Sequence, residues 1–381
     1  SEINSVRFCK IRPLRGLITD RYGNVLVDNQ PSFDIVFTPD KNRDLKVVTG
    51  RLQSLYREQS LQFTEDFNRL YEEKTYAPIR LDKNVDAKKL ALVETRSLDL
   101  PGVGIDVVPT RQYLYGEMMA HLIGYVGEIS SVELRKKNFE GYQAGDIVGK
   151  YGIEKFFDSY LKGINGGEEV EVNAHGKKIR SLRKVDPTQG YHLHLTIDAS
   201  LQQTAWDAFE GRPGAAVVMD TRTGEILALV SSPSFDPNLF NGGISHREWR
   251  KLSTNPFHPM ENRAISGQYP PGSTYKLVVA AAALEEKMIT PESSVTCDGT
   301  FQLGNRLFRC WQKKGHGRMN LHQAIVESCD VYFYHLGKQL GVDKIAYYAR
   351  AFGFGAPTGL TLAREKGGIV PTKAWKLSKT R

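Results

Sequence analysis

The sequence lacks a long apolar run, a signal-peptide pattern and a basic run interleaved with aromatic residues. No segment approaches the roughly 18–20 apolar residues that span a bilayer, and residues 1–5 do not show a basic stretch followed by an apolar one. The third absence argues against nucleic acid as a partner. We therefore expect either a cytosolic protein or an envelope protein whose anchor is missing from this chain. Composition alone does not separate these two.

The composition is that of a folded globular protein with room for two or three domains. The chain has 381 residues, of which 40% are hydrophobic and 25% are charged. Its formal net charge is +8. This excess fits an ordinary solvated surface, and it also fits attraction to an anionic membrane or cell-wall polymer.

The first half of the chain predicts an extended, β-rich domain over residues 1–190. Residues 15–26 read as a strand, a Tyr-Gly-Asn turn and a second strand. Charged segments of helical period at 44–74 and 86–97 predict a helical head inserted at about 41–108. Residues 163–190 suit extended hairpins.

The composition changes near Tyr191, where we predict that a second domain begins and runs to residue 381. Residues 214–231 read as a β-hairpin, 273–286 as an Ala-rich helix, and about 321–352 as further helices. The predicted fold class is therefore α+β and multidomain.

A candidate nucleophile stands where a Pro-Pro-Gly turn enters the Ala-rich helix. Ser273 lies in the first predicted turn, and Lys276 is three residues on, so the two side chains share one face. A serine hydroxyl is a weak nucleophile until a neighbour takes its proton. Lysine can do so only when neutral, which burial and the positive end of a helix dipole favour. The alternative is an N-cap serine beside a surface lysine.

Ser-x-x-Lys alone carries little weight, because the chain contains it three times. The other two copies are Ser159/Lys162, in a charged amphipathic segment, and Ser181/Lys184, in a basic stretch. Neither follows a Pro-Gly turn into an apolar helix. We interpret both as solvated surface.

A second motif, Ser328-Cys329-Asp330, follows 55 residues after Ser273 and interrupts two helical segments. With Ser273/Lys276 it resembles the Ser-x-x-Lys and Ser-x-Asn motifs of penicillin-binding proteins and serine β-lactamases. Further segments make the resemblance closest to class B penicillin-binding proteins, over nearly the whole chain. They are Arg-Gly-Leu-Ile-Thr-Asp-Arg at 15–21, Gly-Tyr-Val-Gly at 124–127, Gly-Lys-Tyr-Gly-Ile-Glu at 149–154 and Phe-Gly-Phe-Gly at 352–355. Asp330 stands where many relatives have Asn, and in this respect the chain resembles the elongation-specific branch of the family.

The resemblance implies a non-catalytic pedestal followed by a transpeptidase domain, an antiparallel sheet with helices. It implies acyl transfer from D-Ala-D-Ala stem peptides, with β-lactams as covalent mimics. Ser273 would attack, Lys276 would take its proton, Ser328 would relay a proton to the leaving amine, and Asp330 would orient Lys276 and the substrate. It also implies one N-terminal inner-membrane anchor, a periplasmic body and a SEDS-type glycosyltransferase as partner.

The family's third motif, Lys-[Ser/Thr]-Gly, is not found. Ser378-Lys379-Thr380-Arg381 has Arg in place of Gly, and the chain ends 108 residues after Ser273. Family members place this motif well over a hundred residues beyond the second one. We therefore expect the transpeptidase domain to be C-terminally incomplete and this chain by itself to be inactive or impaired, since losing one oxyanion donor costs about 2.7–4 kcal/mol.

A cysteine-rich cluster lies between the two motifs. Cys297, Cys310, His316 and Cys329 are separated by 12, 5 and 12 residues. Three thiolates and an imidazole suit a tetrahedral structural zinc. Elongation-specific relatives resemble this cluster in carrying Asp, Asp, His and Cys, in that order, at the four matching positions. A Cys297–Cys310 disulfide or free thiols are the alternatives.

Two other functions stay open at this point. One is a β-lactam-hydrolysing or β-lactam-sensing relative, which would share Ser273/Lys276 but need a group that activates deacylating water. The other is a non-catalytic envelope scaffold whose pedestal binds partners.

Overall fold

The structure is a computed structural model, and it describes residues 5–38, 45–56, 79–172, 178–360, 362 and 365–379. The chain divides into two compact units, Ser1–Ala264 and Ile265–Arg381. Each unit has its own buried core. No helix among the described residues is long and apolar enough to span a bilayer.

Strands occupy both units. They are Ser5–Ile11, Ile18–Thr19, Val25–Phe37, Ile79–Asp82, Val103–Tyr113, Val126–Glu128, Ile147–Gly149, Gly166–Val172, Lys178–Val185, Leu193–His194, Gly214–Met219, Ile226–Ser232, Val295–Cys297, Thr300–Leu303, Arg306–Arg309 and Gly317–Met319.

The α-helices are mostly short. They are Leu45–Tyr56, Ala87–Thr95, Ala120–Ile123, Ser131–Leu134, Gly152–Phe156, Asp158–Leu161, Ala199–Asp207, His246–Ser253, Arg263–Ser266, Lys276–Glu285, Leu321–Val326, Asp330–Leu340, Val342–Ala351 and Lys373–Lys379. Short 3-10 segments add Ser97–Asp99, Gly116–Met118, Lys137–Phe139, Pro237–Phe240 and Gly272–Tyr275.

The first unit is built on two larger sheets, a five-stranded one that is antiparallel except for the pairing of Leu193–His194 with Ile18–Thr19, and an antiparallel three-stranded one. Residues 27–37 of the strand Val25–Phe37 pair with Val103–Tyr113, and the strand also pairs with Ile79–Asp82. In a separate three-stranded sheet, Gly166–Val172 lies between Lys178–Val185 and the N-terminal strand Ser5–Ile11. The predicted hairpins over 163–190 are therefore present, whereas the N-terminal strand was not predicted from the sequence.

The predicted head insertion is described in part. Helices Leu45–Tyr56 and Ala87–Thr95 and strand Ile79–Asp82 lie within it, and residues 39–44 and 57–78 lie outside the described residues. Buried Leu52 packs with Ile35 and Phe37 of the long strand in one apolar cluster. Burial of such side chains contributes about 1.5–3 kcal/mol each.

A buried ionic network links three segments of the first unit. Glu154 is fully buried and accepts hydrogen bonds from Arg15 Nε and Arg111 Nε, each at 2.6 Å. Arg15 also pairs with Asp158 at 2.8 Å. Although burial opposes charge, Glu154 and Asp158 raise the pKa of Arg15, and Arg15 with Arg111 lowers the pKa of Glu154. The network stays ionised and holds the segments in register.

The hairpin Gly214–Met219/Ile226–Ser232 and helix Ala199–Asp207 belong to the first compact unit. Buried Gln202 joins them, because its side chain donates to Leu229 O and Met118 O and accepts from Leu229 N. The unit thus reaches beyond the predicted domain boundary at 190/191, which stays a prediction.

The second unit is organised around the Ala-rich helix Lys276–Glu285. It packs against helices Asp330–Leu340 and Val342–Ala351. Ala280, Ala282 and Ala283 are buried at this contact, and small side chains let helices approach closely. Two small antiparallel strand pairs, Val295–Cys297 with Gly317–Met319 and the hairpin Thr300–Leu303 with Arg306–Arg309, close the same core.

Candidate active site and metal centre

Ser273 lies in a tight turn that leads into the helix. Gly272–Tyr275 forms a 3-10 turn, and regular α-helix begins only at Lys276. Gly272 has φ +58°, which favours glycine over other residues. The sequence predicts α-helix from residue 273, whereas regular α-helix begins at Lys276. Ser273 therefore lies in the 3-10 turn that precedes the helix. Its hydroxyl is on an exposed residue.

Ser328 is held in a strained conformation by a helix-ending motif. Helix Leu321–Val326 ends with bonds from Ser328 N to Ile325 O (3.1 Å) and from Cys329 N to Ala324 O (2.9 Å). These two bonds form a Schellman motif, whose left-handed position is usually glycine. Here Ser328 occupies that position with φ +51°. The backbone penalty of about 1–2 kcal/mol is tolerated where a hydroxyl is needed.

The four predicted catalytic residues form one continuous hydrogen-bonded chain. Ser328 Oγ donates to Ser273 Oγ at 2.9 Å. Lys276 Nζ donates to Ser328 Oγ at 3.0 Å, to Ser328 O at 2.7 Å and to Asp330 Oδ1 at 2.7 Å. Lys276 therefore reaches Ser273 through the Ser328 hydroxyl.

Lys276 lies in a half-closed environment with a charged partner. Its side chain is 14% exposed and pairs with Asp330, and the charge lies 5.8 Å from the ring of Phe333. The sequence predicts burial around this lysine, and the structure adds a carboxylate within hydrogen-bond reach. In this resting arrangement Lys276 donates three hydrogen bonds.

Trp311 is a contributor to the site that sequence reasoning missed. Its backbone N–H donates to Asp330 Oδ2 at 3.1 Å, and its indole N–H donates to Glu327 O at 3.0 Å. Both carboxylate oxygens of Asp330 are thus engaged, so its orientation toward Lys276 is fixed. The available signal was that Trp311 directly follows Cys310.

The other two Ser-x-x-Lys pairs have other surroundings. Lys162 lies 3.9 Å from the ring centroid of Tyr142. Lys184 pairs with Asp186 at 2.8 Å. Ser159 is exposed. Lys184 and Ser159 agree with the interpretation of these pairs as solvated surface, whereas Lys162 is half-buried and lines a cavity of the first unit.

The predicted metal ligands converge. One donor atom from each of Cys297, Cys310, His316 and Cys329 lies within 4.8 Å of the other three. His316 Nδ1 is 3.6 Å from the sulfurs of both Cys297 and Cys310. Zinc bonds of about 2.3 Å to sulfur and about 2.0–2.1 Å to nitrogen place tetrahedral ligands roughly 3.6 Å apart. The donor set and its spacing therefore fit zinc.

Burial makes ionisation of these thiols costly, and a bound cation would reduce that cost. Burial, together with Cys297 and Cys310, raises the pKa of Cys329 to about 12. For Cys310, burial opposes ionisation, but backbone N–H groups of Gln312, Asp330 and Val331 lower its pKa. All three clustered cysteines are free thiols, so the alternative Cys297–Cys310 disulfide is not formed in this structure.

The metal-ligand cluster is continuous with the catalytic chain. Cys329 lies between Ser328 and Asp330 in sequence and is fully buried. Cys310 precedes Trp311, whose N–H holds Asp330. Any group that fixes Cys310 and Cys329 therefore fixes the backbone on both sides of the second motif.

Family models and known proteins agree with this geometry. Residues 10–195 match the penicillin-binding protein dimerisation domain, and residues 214–380 match the penicillin-binding protein transpeptidase domain. The chain is 38% identical to peptidoglycan D,D-transpeptidase MrdA of Acinetobacter baumannii, covering 99% of this chain and 56% of the relative. It is 36% identical to MrdA of Escherichia coli K12, covering 99% and 60%.

Solved structures extend the likeness to the fold. The penicillin-binding protein PBP2 from Helicobacter pylori, in its complex with MreC, has a TM-score of 0.84 at 32% identity, covering 99% of this chain and 71% of that one. The chain belongs to the penicillin-binding protein family. Both the family and the α+β multidomain fold class predicted from sequence are confirmed. The chain spans 56–60% of the length of these curated relatives.

Proposed function

We propose that this chain carries the acylation centre of a serine-type peptidoglycan D,D-transpeptidase that acts in cell elongation. The observation that carries the proposal is the hydrogen-bonded chain from Ser273 through Ser328 to Lys276 and Asp330. The names of its relatives, peptidoglycan D,D-transpeptidases, agree with it. The substrates are stem peptides ending in D-Ala-D-Ala.

In the acylation step, Ser273 Oγ attacks the carbonyl carbon of the penultimate D-Ala. The hydroxyl proton passes to Ser328 Oγ while the Ser328 proton passes to Lys276 Nζ, which must be neutral at that moment. The amide bond breaks as its nitrogen takes a proton back through Ser328, and the terminal D-Ala leaves. An ester to Ser273 remains.

In the second step, an amine of another stem peptide attacks the ester carbonyl. The new amide forms, the ester bond breaks, and the proton of the attacking amine returns to Ser273 Oγ along the same chain. Asp330 holds Lys276 in reach of Ser328 throughout. A β-lactam ring enters the first step as donor and leaves an acyl-serine that amines do not resolve.

The test is covalent labelling of the full-length protein with a fluorescent penicillin. We expect wild-type protein to be labelled and Ser273→Ala to show no label above background. Ser159→Ala and Ser181→Ala are matched controls, because each removes the serine of another Ser-x-x-Lys motif. Label on Ser273→Ala would refute the assignment, and rapid release of label from the wild type would indicate a hydrolase.

We propose that Cys297, Cys310, His316 and Cys329 bind a structural zinc ion. Bound zinc would neutralise the clustered thiolates and contribute folding free energy. Support comes from the 3.6 Å spacing between His316 and two of the sulfurs and from the burial of all three cysteines. The Cys297–Cys310 disulfide explains neither His316 nor Cys329.

Metal content tests this site independently of activity. We expect close to one zinc per chain in protein purified without chelator, and much less in Cys310→Ser. Cys9→Ser is the matched control, since Cys9 is an exposed thiol outside the cluster. Zinc near zero in the wild type, with two thiols lost on non-reducing thiol titration, would establish the disulfide instead.

We also propose that the protein works at the inner membrane with its body in the periplasm, beside a SEDS-type glycosyltransferase. Support is indirect. A matching structure is described as a peptidoglycan synthase complex that coordinates polymerisation and crosslinking, at 30% identity and a TM-score of 0.73. Co-purification of tagged full-length protein with the polymerase from detergent extracts tests it, and consistent absence of the polymerase would refute it.

A further inference from the structure

The first unit contains a large cationic cavity that the proposed acylation chemistry does not use. Its volume is about 870 Å³, within the roughly 300–1,000 Å³ typical of small-ligand sites. Every residue that lines it belongs to the unit Ser1–Ala264. Ser273 and its partners belong to the other unit.

The lining is strongly basic. Among the described residues, seven lining side chains are cationic and two, Glu128 and Asp146, are acidic. Both acids are already engaged by lysines, Glu128 by Lys83 at 2.8 Å and Asp146 by Lys10 at 2.6 Å. The two acidic residues of the wall are therefore not available to neutralise its other cations.

Most of the lining cations have a structural partner. These are Arg15 and Arg111 on Glu154, Arg80 near Asp34, Lys83 on Glu128 and Lys150 on Glu133. Such paired cations serve the fold. They account for five of the seven positive charges.

Arg12 and Lys162 form no ion pair within 4 Å among the described residues. Arg12 Nη2 donates a long hydrogen bond to Gly145 O at 3.5 Å. Burial and the neighbouring Arg80 charge lower the pKa of Arg12, against the opposing effects of Asp146, Asp106 and Asp34. Lys162 contacts a tyrosine ring instead of a carboxylate. The cavity therefore presents two cations that form no direct ion pair among the described residues.

A third donor lies unused in the same wall. Arg111 is 4% exposed, and its Nη2 has no hydrogen-bond partner among the described residues. Buried guanidinium N–H groups without acceptors are costly. A short shift of the side chain toward an acceptor in the cavity would satisfy this one.

The wall also offers an apolar surface beside the charges. The rings of Tyr125 and Phe240 stack with centroids 3.9 Å apart, and both line the cavity with Gly242 and Gly243. A pocket with apolar walls and a few convergent cations suits a compact organic body that carries an anionic group.

We propose that this cavity binds an oxyanion group, a carboxylate or a phosphate, on a small ligand, with Arg12 and Lys162 as its charge partners. Guanidinium groups recognise both oxyanions by paired hydrogen bonds. Peptidoglycan fragments carry carboxylates, and lipid-linked wall precursors carry phosphates. Only this choice of natural sources rests on the proposed function; the recognition of an oxyanion does not.

Calorimetric titration of Ser273→Ala protein tests the cavity without covalent reaction at the other site. The probes are pyrophosphate, a disaccharide-peptide fragment of peptidoglycan with free carboxylates, and the same fragment with its carboxylates amidated. We expect one of the two anions to bind and the amidated fragment to bind at least about tenfold more weakly. Affinity should also fall with rising salt.

Arg12→Gln in the same background should weaken binding about tenfold or more. It removes one long hydrogen bond and leaves the buried network intact, so folding should persist. Arg21→Gln is the matched control, because Arg21 lies outside the cavity and pairs with Glu225 at the surface. It should leave binding unchanged.

Three results would overturn the inference: no binding of either anion at millimolar concentration, equal binding of the amidated fragment, or no effect of Arg12→Gln. Penicillin labelling of the wild type separates this outcome from failure of the proposed function. Anion binding in a protein that never labels would leave the cavity inference standing alone.

Discussion

Two charged networks, one in each unit, use similar side chains for different ends. Around Glu154 in the first unit, the carboxylate is fully buried and both arginine Nε atoms are committed to it. Around Lys276 in the second unit, the chain of donors ends on the hydroxyl of Ser273, an exposed residue. A closed network fixes structure, whereas an open one can pass a proton to a molecule that arrives from outside.

The difference lies in the last link of each network. Arg15 and Arg111 are permanently charged and cannot exchange protons near neutral pH. Lysine and serine can, and each step between them in the second unit is 3.0 Å or less. The comparison predicts that changes in the first network alter stability and that changes in the second alter reaction rate.

The largest expected effect is on rate, from Lys276→Gln. Without the amine, the Ser328 hydroxyl has no proton acceptor behind it. We expect penicillin acylation of the full-length protein to fall about 10²–10⁴-fold, measured by stopped-flow or gel fluorescence. Lys162→Gln, in another Ser-x-x-Lys motif, should leave the rate unchanged, and a loss of less than tenfold in Lys276→Gln would break the comparison.

The largest effect on stability is expected from Glu154→Gln. Two buried arginines would lose their carboxylate, and breaking such a buried pair costs about 3–5 kcal/mol in unfolding free energy. Urea denaturation measures it. Glu225→Gln is the control, because its pair with Arg21 is part-exposed at 3.4 Å and should cost less than about 1 kcal/mol. Equal losses in the two variants would contradict the assignment.

Acidification should weaken the network around Glu154. Burial favours the neutral carboxyl of Glu154, but Arg15 and Arg111 hold its pKa below the usual 4.5 in the folded state. The stabilisation is therefore present above pH 4.5 and is lost as the pH falls through the lowered folded-state value. Melting temperature measured from pH 7 to pH 3 should fall less steeply in Glu154→Gln than in the wild type. Parallel curves would show that Glu154 does not contribute.

The smallest effect separates strain from chemistry at Ser328. Ser328→Gly and Ser328→Ala both remove the hydroxyl, so both should slow acylation strongly. Glycine adopts φ +51° without strain, whereas alanine adopts it only at a cost, so the glycine variant should be more stable than the alanine variant by about 1–2 kcal/mol. Chemical denaturation of both variants measures this, and equal stability would show that the turn carries no strain.

Local patterns in the sequence predicted much of the fold. The hairpin at 214–231, the Ala-rich helix and the helix at 86–97 reappear as Gly214–Met219/Ile226–Ser232, Lys276–Glu285 and Ala87–Thr95. These elements depend on short-range propensity and turn residues. The strand Ser5–Ile11 was missed, because its partner Gly166–Val172 lies far along the chain.

The sequence by itself determined the family, the residue types of the candidate site and the donor set of the proposed metal site, since motifs and spacing are properties of the chain. Only the tertiary structure decided that Lys276 reaches Ser273 through Ser328, that Ser328 takes a left-handed turn, and that the Trp311 amide fixes Asp330. Hydrogen bonds between residues 55 positions apart, as Ser273 and Ser328 are, depend on how helices pack. No local pattern encodes that packing.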